Sequence, residues 1–111
     1  MTHPPNFLRT HRKRSPLTQA DIAFLMKLPN DSNISRCEKG QRSPSVELLL
    51  VYHHLFDTSV EAFFEPQSKI ILLGLLEKIK HLISEIQSEE TIPKNTFRIK
   101  FLEEAIIRLT K

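Results

Sequence analysis

The stretch SNISRCEKG, from Ser32 to Gly40, decides how the rest of this sequence is interpreted. It has one clearly apolar residue near its start, Ile34, among small polar and charged side chains. It stops at a glycine, the residue most often found just beyond the C-terminus of a helix. The stretch therefore predicts a short helix that is anchored to the protein on one side and carries hydrogen-bonding groups on the other.

The charge of the chain is unevenly distributed. The 111 residues carry 16 Lys and Arg against 13 Asp and Glu, a formal net charge of +3. Residues 1–44 hold eight basic and three acidic residues, whereas residues 45–111 hold eight basic and ten acidic residues. A basic N-terminal part joined to a slightly acidic remainder favours a polyanionic partner for the first part.

The residue inventory argues against several classes of protein. Cys37 is the only cysteine, so neither an internal disulfide nor a cysteine-based metal site is expected. His53 and His54 are adjacent and would point about 100° apart on a helix, which does not favour a shared metal. The N-terminal residues lack a signal-peptide core, and apolar runs such as Ile70–Leu73 are far too short to span a membrane. We expect a cytoplasmic protein with no cofactor, no membrane span and no enzymatic activity.

Helical periodicity predicts an all-α protein. Five short helices would form an N-terminal domain over residues 6–66, and two longer helices would form a C-terminal hairpin over residues 67–111. The seven helices are predicted at residues 6–14, 18–26, 32–39, 46–56, 60–64, 68–88 and 96–110.

Capping residues indicate where several of these helices begin. Thr18, followed three residues later by Asp21, predicts a short-armed capping box at the second helix. Asn30 or Asp31 would cap the third helix, and Ser45 would cap the fourth. These signals are local, so they do not depend on how the helices pack.

Apolar stripes indicate which side of each helix faces a core. The second helix has the stripe Ile22, Leu25 and Met26. Asp57 is expected to end the fourth helix in a left-handed conformation, and Pro66 to close the N-terminal domain. The stripes of the two C-terminal helices comprise Leu72, Leu75, Leu76, Ile79, Leu82, Ile83 and Ile86, and then Phe97, Phe101, Leu102, Ala105, Ile106 and Leu109.

The third helix and its neighbours contain groups that could read duplex DNA. Ser32, Asn33 and Arg36 lie at or near the helix start, where base edges in the major groove can be reached. Arg36 can pair with guanine through two hydrogen bonds, and Asn33 can do the same with adenine. The residues suited to hold backbone phosphates are Gln41, Arg42, Ser43, Thr18 and Gln19.

Taken as a set, these motifs resemble a known family. The segments LTQADIAFLM, residues 17–26, NISRCEKGQRSPSVELL, residues 33–49, and FDTSVEAFF, residues 56–64, carry the resemblance. They are similar to the Cro/lambda-repressor-like (XRE-type) helix-turn-helix domain over about residues 6–65. The matching features are L-T-Q opening the second helix, I-S-R-x-E-x-G in the third, P-S opening the fourth and a small polar start to the fifth.

The resemblance implies a five-helix DNA-binding domain with a role for each matching residue. Gln19 would touch a phosphate and brace the reading helix, while Arg12 and Glu38 would form a structural ion pair. The residues that match base contacts are Asp31, Ser32, Asn33 and Arg36. The residues that match backbone contacts are Gln19, Lys39, Gln41 and Arg42. Together with Thr18, Ser35 and Ser43 they make up the backbone contacts that we predict.

The sequence departs from the family pattern in three places. The turn Lys27–Asp31 is one residue longer than the commonest spacing, so the third helix could be tilted. Cys37 replaces the usual aromatic residue, which would thin the packing unless Phe24 or Tyr52 fills the space. Asp31 is acidic where a polar or basic residue is common, although it could accept from cytosine N4 or cap the helix. We interpret Cys37 as a small buried hydrophobe in preference to a redox sensor.

The favoured function is a DNA-binding transcriptional regulator, more specifically a repressor. The hairpin is expected to join two copies, so that two half-sites are read about one DNA turn, roughly 34 Å, apart; the alternative is that it folds back to enlarge one core. A second interpretation is an antitoxin whose hairpin holds a toxin. A third is a protein-interaction module that no longer uses DNA, which the acid at Asp31 and the long turn favour. The alternative for Ser32, Asn33, Ser35 and Arg36 themselves is an ordinary solvated helix face.

Overall fold

The computed structural model describes residues 6–111, and within that range the chain is all-α, as predicted, with no strand. A short 3₁₀ helix, Glu61–Phe64, runs directly into the fifth α-helix. No helix among the described residues is long and apolar enough to cross a lipid bilayer. The α-helices are α1 (Leu8–Lys13), α2 (Gln19–Leu25), α3 (Ser32–Glu38), α4 (Val46–Phe56), α5 (Glu65–Gln87) and α6 (Pro93–Leu109).

The chain divides into two compact units. The first unit ends at Gln67 and contains α1 to α4 and the 3₁₀ helix. The second unit runs from Ser68 to Lys111 and contains most of α5 and all of α6. The unit boundary therefore falls inside the first turns of α5.

The predicted N-terminal caps of α2 and α4 are present. The backbone N–H of Thr18 donates to the Asp21 carboxylate at 2.8 Å, and the backbone N–H of Asp21 donates to the Thr18 hydroxyl at 3.1 Å. Together these bonds form the capping box of α2. The Ser45 hydroxyl accepts from a backbone N–H in the first turn of α4 at 3.1 Å. Both caps satisfy donors that a helix start would otherwise leave unpaired.

The ends of α3 and α4 also follow from local chemistry. At the start of α3, Asn30 provides the side-chain acceptor, receiving the backbone N–H of Ser32 at 3.0 Å, while Asp31 makes no capping bond. Beyond α3, Gly40 has a φ of 74°, and Asp57 ends α4 with a φ of 48°. Left-handed backbone costs glycine nothing and aspartate less than most residues, so both stop signals are confirmed.

One buried cluster forms the core of the first unit. The contacts of α1 with both α3 and α4, and of α2 with α3, place α3 among the packed helices. Tyr52 and Phe63 meet edge to face with ring centroids 6.2 Å apart, an arrangement that aromatic rings favour. The cluster comprises Leu8, Ile22, Ala23, Ile34, Cys37, Leu48, Tyr52 and Phe63.

The predicted stripe of α2 is partly wrong. Ile22 is fully buried and Met26 is half-buried, but Leu25 is 53% exposed and Ala23 is buried in its place. Ile22, Ala23 and Met26 therefore form the side of α2 that packs against the core. Phe24 is 81% exposed and does not fill the space beside Cys37, whereas Tyr52 is fully buried in the same cluster.

Two prolines lie at helix starts. Pro66, expected to close the N-terminal domain, lies one residue before the end of the first unit and in the first turn of α5, and Pro93 is the first residue of α6. A proline there costs no hydrogen bond, because the first N–H groups of a helix have no partner within it. The predicted fifth helix is accordingly a 3₁₀ helix, and the two long helices begin at Glu65 and Pro93, earlier than expected.

In the second unit, a turn of defined hydrogen bonds joins α5 to α6. The Asn95 side chain donates to the Glu90 carbonyl at 3.0 Å and to the Glu89 carboxylate at 3.2 Å. Arg98 donates to the Asn95 side-chain oxygen at 3.0 Å and lies 3.6 Å from the Glu89 carboxylate. These bonds provide partners for the buried side chain of Asn95, a residue type that is mostly exposed in proteins.

The predicted stripes of α5 and α6 include residues that the structure leaves exposed. Ile79 and Ile86 of α5 and Ala105 of α6 are buried, as expected. In contrast, Phe97 and Phe101 are 70% and 64% exposed, and Leu75 and Leu82 are 43% and 41% exposed. Both α5 and α6 therefore have more apolar surface than packing against each other could cover.

Candidate nucleic-acid interface

The centre of the first unit is a buried carboxylate at the end of α3. Glu38 receives two hydrogen bonds from the Arg12 guanidinium, at 2.7 Å from Nε and 3.0 Å from Nη2. The Tyr52 hydroxyl donates to the same carboxylate at 2.6 Å, and the Gln19 side-chain amide donates at 3.0 Å. The ion pair that the resemblance implied for Arg12 and Glu38 is therefore present, and it is part of a larger network.

The network is electrostatically balanced. Burial by itself would raise the pKa of the Glu38 carboxyl, but hydrogen bonds from Arg12, Tyr52 and Gln19 outweigh burial and hold the pKa below its ordinary value. The hydrogen bond that Arg12 donates to Glu38 raises the pKa of the Arg12 guanidinium. Burial, followed by the bond to Glu38, raises the pKa of Tyr52 far above its ordinary value. Glu38 is thus a charged acceptor and Tyr52 a neutral donor at every physiological pH.

The network fixes the orientation of α3, because the donors come from three other helices. Arg12 lies on α1, Gln19 begins α2 and Tyr52 lies on α4. A further bond runs from the Asn6 side-chain amide to the Cys37 carbonyl at 2.9 Å. Ile34 and Cys37 face the same core and are almost fully buried. One side of α3 is therefore occupied by contacts within the first unit.

The opposite side of α3 is polar and accessible. Ser32 and Arg36 are exposed, and Arg36 makes no ion pair with any residue of the described range. The Ser32 hydroxyl donates to the Asn30 side chain at 2.6 Å, which orients the start of the helix. Asn33 is half-buried, and its side-chain oxygen faces the Cys37 thiol at 3.9 Å. Its amide NH₂ group remains available as a donor.

Beside this face lies a cleft of about 640 Å³ between α1, α2 and α3. It brings together four residues that the sequence assigns to the DNA backbone: Thr18, Gln19, Ser35 and Lys39. Asp31, assigned to bases, also lines the cleft. The complete lining is Arg9, Arg12, Lys13, Thr18, Gln19, Ala20, Asp31, Ser35, Glu38 and Lys39.

Two basic residues of the cleft are absent from the sequence-based assignment. Arg9 and Lys13 are exposed, and their spacing of four residues places them on one side of α1. With Lys39 they give the cleft three exposed cations near one exposed acid, Asp31. The i, i+4 spacing was visible in the sequence, but its alignment with α3 depends on how the helices pack.

The remaining predicted backbone contacts lie outside the cleft. Gln41, Arg42 and Ser43 are all exposed in the segment that follows α3. Gln19, which lines the cleft, is half-buried, and its side-chain amide donates to Glu38 at the end of α3. This bond corresponds to the bracing role that the resemblance implied.

Cys37 behaves as part of the core. It is 1% exposed, and burial raises the pKa of its thiol, which disfavours the reactive thiolate. Within residues 6–111, no group of three or more His, Cys, Asp or Glu side chains is arranged to hold a metal ion.

Comparison with protein-family models, with curated proteins and with solved structures gives no match for this chain.

Proposed function

We propose that this chain is a sequence-specific DNA-binding transcriptional regulator, acting as a repressor, that places α3 in the major groove. The observation that carries the proposal is the division of α3 into two sides. One side is held by Ile34, Cys37 and the Glu38 network, and the other presents Ser32, Asn33 and Arg36. A helix that reads base edges must be rigid with respect to its scaffold, because bidentate contacts tolerate little displacement.

The basic cleft supports the same orientation. Arg9, Lys13 and Lys39 lie next to the accessible side of α3, where they would meet the phosphates that flank the groove. Contacts of this kind release counterions and make binding salt-dependent. In this orientation Arg36 reads bases and Arg42, beyond the C-terminal end of α3, contacts the backbone.

A regulator of this size needs a second copy to read enough DNA. One reading helix covers only a half-site, whereas a dimer reads two half-sites about one helical turn, roughly 34 Å, apart. We assign dimerisation to a hairpin formed by α5 and α6, whose exposed apolar residues offer the required surface.

The experiment that tests this function selects duplexes from a random library with the whole protein at two salt concentrations. We expect enrichment of a palindromic or repeated motif with the half-site spacing given above. Weak binding without sequence preference would contradict the proposal and favour a protein-interaction role instead.

Two substitutions then separate base reading from backbone binding. Arg36→Ala should cost about 1–3 kcal/mol on the selected duplex and relax its sequence preference. Arg42→Ala should weaken the selected and a scrambled duplex alike and reduce the salt slope by about 1. Lys80→Ala, on the exposed part of α5, removes the same charge far along the chain and is the matched control. Affinities are measured by fluorescence anisotropy; an Arg36→Ala protein that binds its operator like the parent would refute the base-reading role.

A further inference from the structure

The second unit has an apolar groove that its own helices leave open. Phe97 and Phe101 of α6, with Leu82 of α5, line a groove of about 600 Å³. The remaining lining residues are Leu102, Lys94 and Arg98. The two aromatic rings are the most exposed apolar members of this lining, at 70% and 64%. The groove is therefore an apolar surface with a basic edge.

The core of the second unit is too small to keep the unit stable while such an apolar surface is exposed to water. Its buried apolar residues are Ile79, Ile86 and Ala105. A unit this small rarely reaches useful stability from its own core and normally gains it from a partner surface. With ~200 Å² per large apolar side chain, the exposed parts of Phe97, Phe101 and the neighbouring α5 leucines offer on the order of 400 Å² per copy.

The spacing of residues on α6 identifies the occupant. Lys94, Phe97, Phe101 and Glu104 are separated by three, four and three positions, so they share one side of the helix. The spacing reads the same in both directions, the two inner residues are identical and the two outer residues have opposite charge. An antiparallel helix with the same four residues is therefore complementary to it in shape and in charge.

We infer that the groove binds a second copy of this chain through antiparallel pairing of α6 with α6 about a two-fold axis. The axis passes between Phe97 and Phe101, so Phe97 packs on Phe101 of the partner subunit. The same register places Lys94 opposite Glu104 of the partner subunit, and the axis repeats both contacts. A single register thus satisfies all four residues, as an isologous interface requires.

The two charged residues are free to make this contact. Lys94 and Glu104 are exposed, and the ion pairs of residues 6–111 include neither of them. Arg98, by contrast, is engaged with Asn95 and Glu89 in the turn. Lys94 and Glu104 therefore determine the register, while the aromatic residues supply most of the binding free energy.

The inference rests on the proposed function for the dimer that it specifies, but its test requires no DNA. Sedimentation equilibrium of the whole protein measures the dimer dissociation constant for the parent, Lys94→Glu and Glu104→Lys. Each reversal places like charges opposite each other twice and should weaken dimerisation about 10-fold. An equimolar mixture of the two variants restores both attractive pairs in the heterodimer and should recover the affinity of the parent.

Matched controls reverse charges elsewhere in the second unit. Lys80→Glu on α5 and Glu103→Lys on α6 change the net charge equally but lie away from the side of α6 that carries Phe97 and Phe101, so their dissociation constants should stay within about 3-fold of the parent. Phe97→Ser with Phe101→Ser should give a monomer, and because the second unit then lacks its partner surface, its helices should unfold at a lower temperature than those of the parent.

Each failure has a distinct meaning. A parent that is monomeric at about 100 µM, well above the dissociation constants of stable dimers, would overturn the inference and assign the groove to another occupant. A dimer that is insensitive to both charge reversals, or a mixture that does not recover affinity, would overturn the register. Failure of DNA selection with an intact, charge-sensitive dimer would refute only the proposed function.

Discussion

Removal of Arg12 would leave the Glu38 carboxylate buried with its main partner missing. In the native protein, Arg12 supplies two of the four hydrogen bonds that Glu38 receives, and the Glu38 side chain is 1% exposed. Removing one partner of a buried ion pair typically costs about 3–5 kcal/mol, because the remaining charge is uncompensated. We expect Arg12→Met to lower the free energy of unfolding by about 3–4 kcal/mol. Tyr52 and Gln19 still donate to Glu38, which keeps the loss away from the top of that range.

Removal of Arg12, the Glu38 carboxylate and the Tyr52 hydroxyl together should cost much less than removal of Arg12 alone. In the triple variant Arg12→Met, Glu38→Leu and Tyr52→Phe, no buried charge or buried hydroxyl lacks a partner. Apolar replacement of a complete buried polar set is often close to neutral. We therefore expect the triple variant to be at least about 2 kcal/mol more stable than Arg12→Met alone.

The cost of Arg12→Met should depend on pH. In the parent, the folded-state pKa of Glu38 is lowered, so its stabilising contribution is present above the unfolded-state pKa and is lost as pH falls. In Arg12→Met, burial is expected to raise the folded-state pKa above the unfolded-state value, so the carboxyl destabilises the fold as pH rises. The difference between parent and variant should therefore be largest near pH 7 and shrink towards about pH 4, near the ordinary pKa of glutamate.

Urea unfolding followed by circular dichroism, at pH 7 and near pH 4, measures these differences. Arg14→Met is the control, because Arg14 is exposed at the end of the same helix and its loss should change stability by less than about 0.5 kcal/mol. A loss below about 1 kcal/mol for Arg12→Met, or a triple variant less stable than Arg12→Met, would refute the view that Glu38 depends on Arg12 for compensation.

Three smaller predictions concern local features of the first unit. Thr18→Ala removes the capping hydroxyl of α2 and should cost about 1 kcal/mol in urea unfolding, whereas Thr110→Ala at the exposed end of α6 should cost little. Lys27 has a φ of 58°, so Lys27→Gly should raise the thermal midpoint in calorimetry by relieving about 0.5–1 kcal/mol of strain, and an unchanged or lower midpoint would contradict this. The Cys37 thiol should react with a maleimide only at the rate of unfolding, because it is 1% exposed; fast labelling of the folded protein would show that it is accessible.

Local chemistry made the helix ends predictable from the sequence. Thr18 with Asp21, Ser45, Gly40 and Asp57 each act through bonds or backbone angles within a few residues, and the structure shows all of them in the expected role. The pairing of Arg12 with Glu38 spans 26 residues, and only the family resemblance pointed to it.

Which apolar side of a helix is covered was not predictable in the same way. Leu25, Phe97 and Phe101 fit an amphipathic spacing but lie outside the buried residues. Periodicity shows that a helix has an apolar side without showing how many neighbours it has to cover that side. Arg9 and Lys13 likewise line the cleft beside α3 only because of how three helices pack. No short stretch of sequence specifies that packing.

The convergence of four helices on the Glu38 carboxylate has a consequence for the dynamics of the first unit. An opening of α1 breaks the bonds from Arg12, an opening of the start of α2 breaks the bond from Gln19, and an opening of α4 breaks the bond from Tyr52. Each helix is short and gains little stability by itself. Their backbone amides should therefore exchange with deuterium in one cooperative event with a shared free energy, so that α3 keeps its orientation until the whole unit opens.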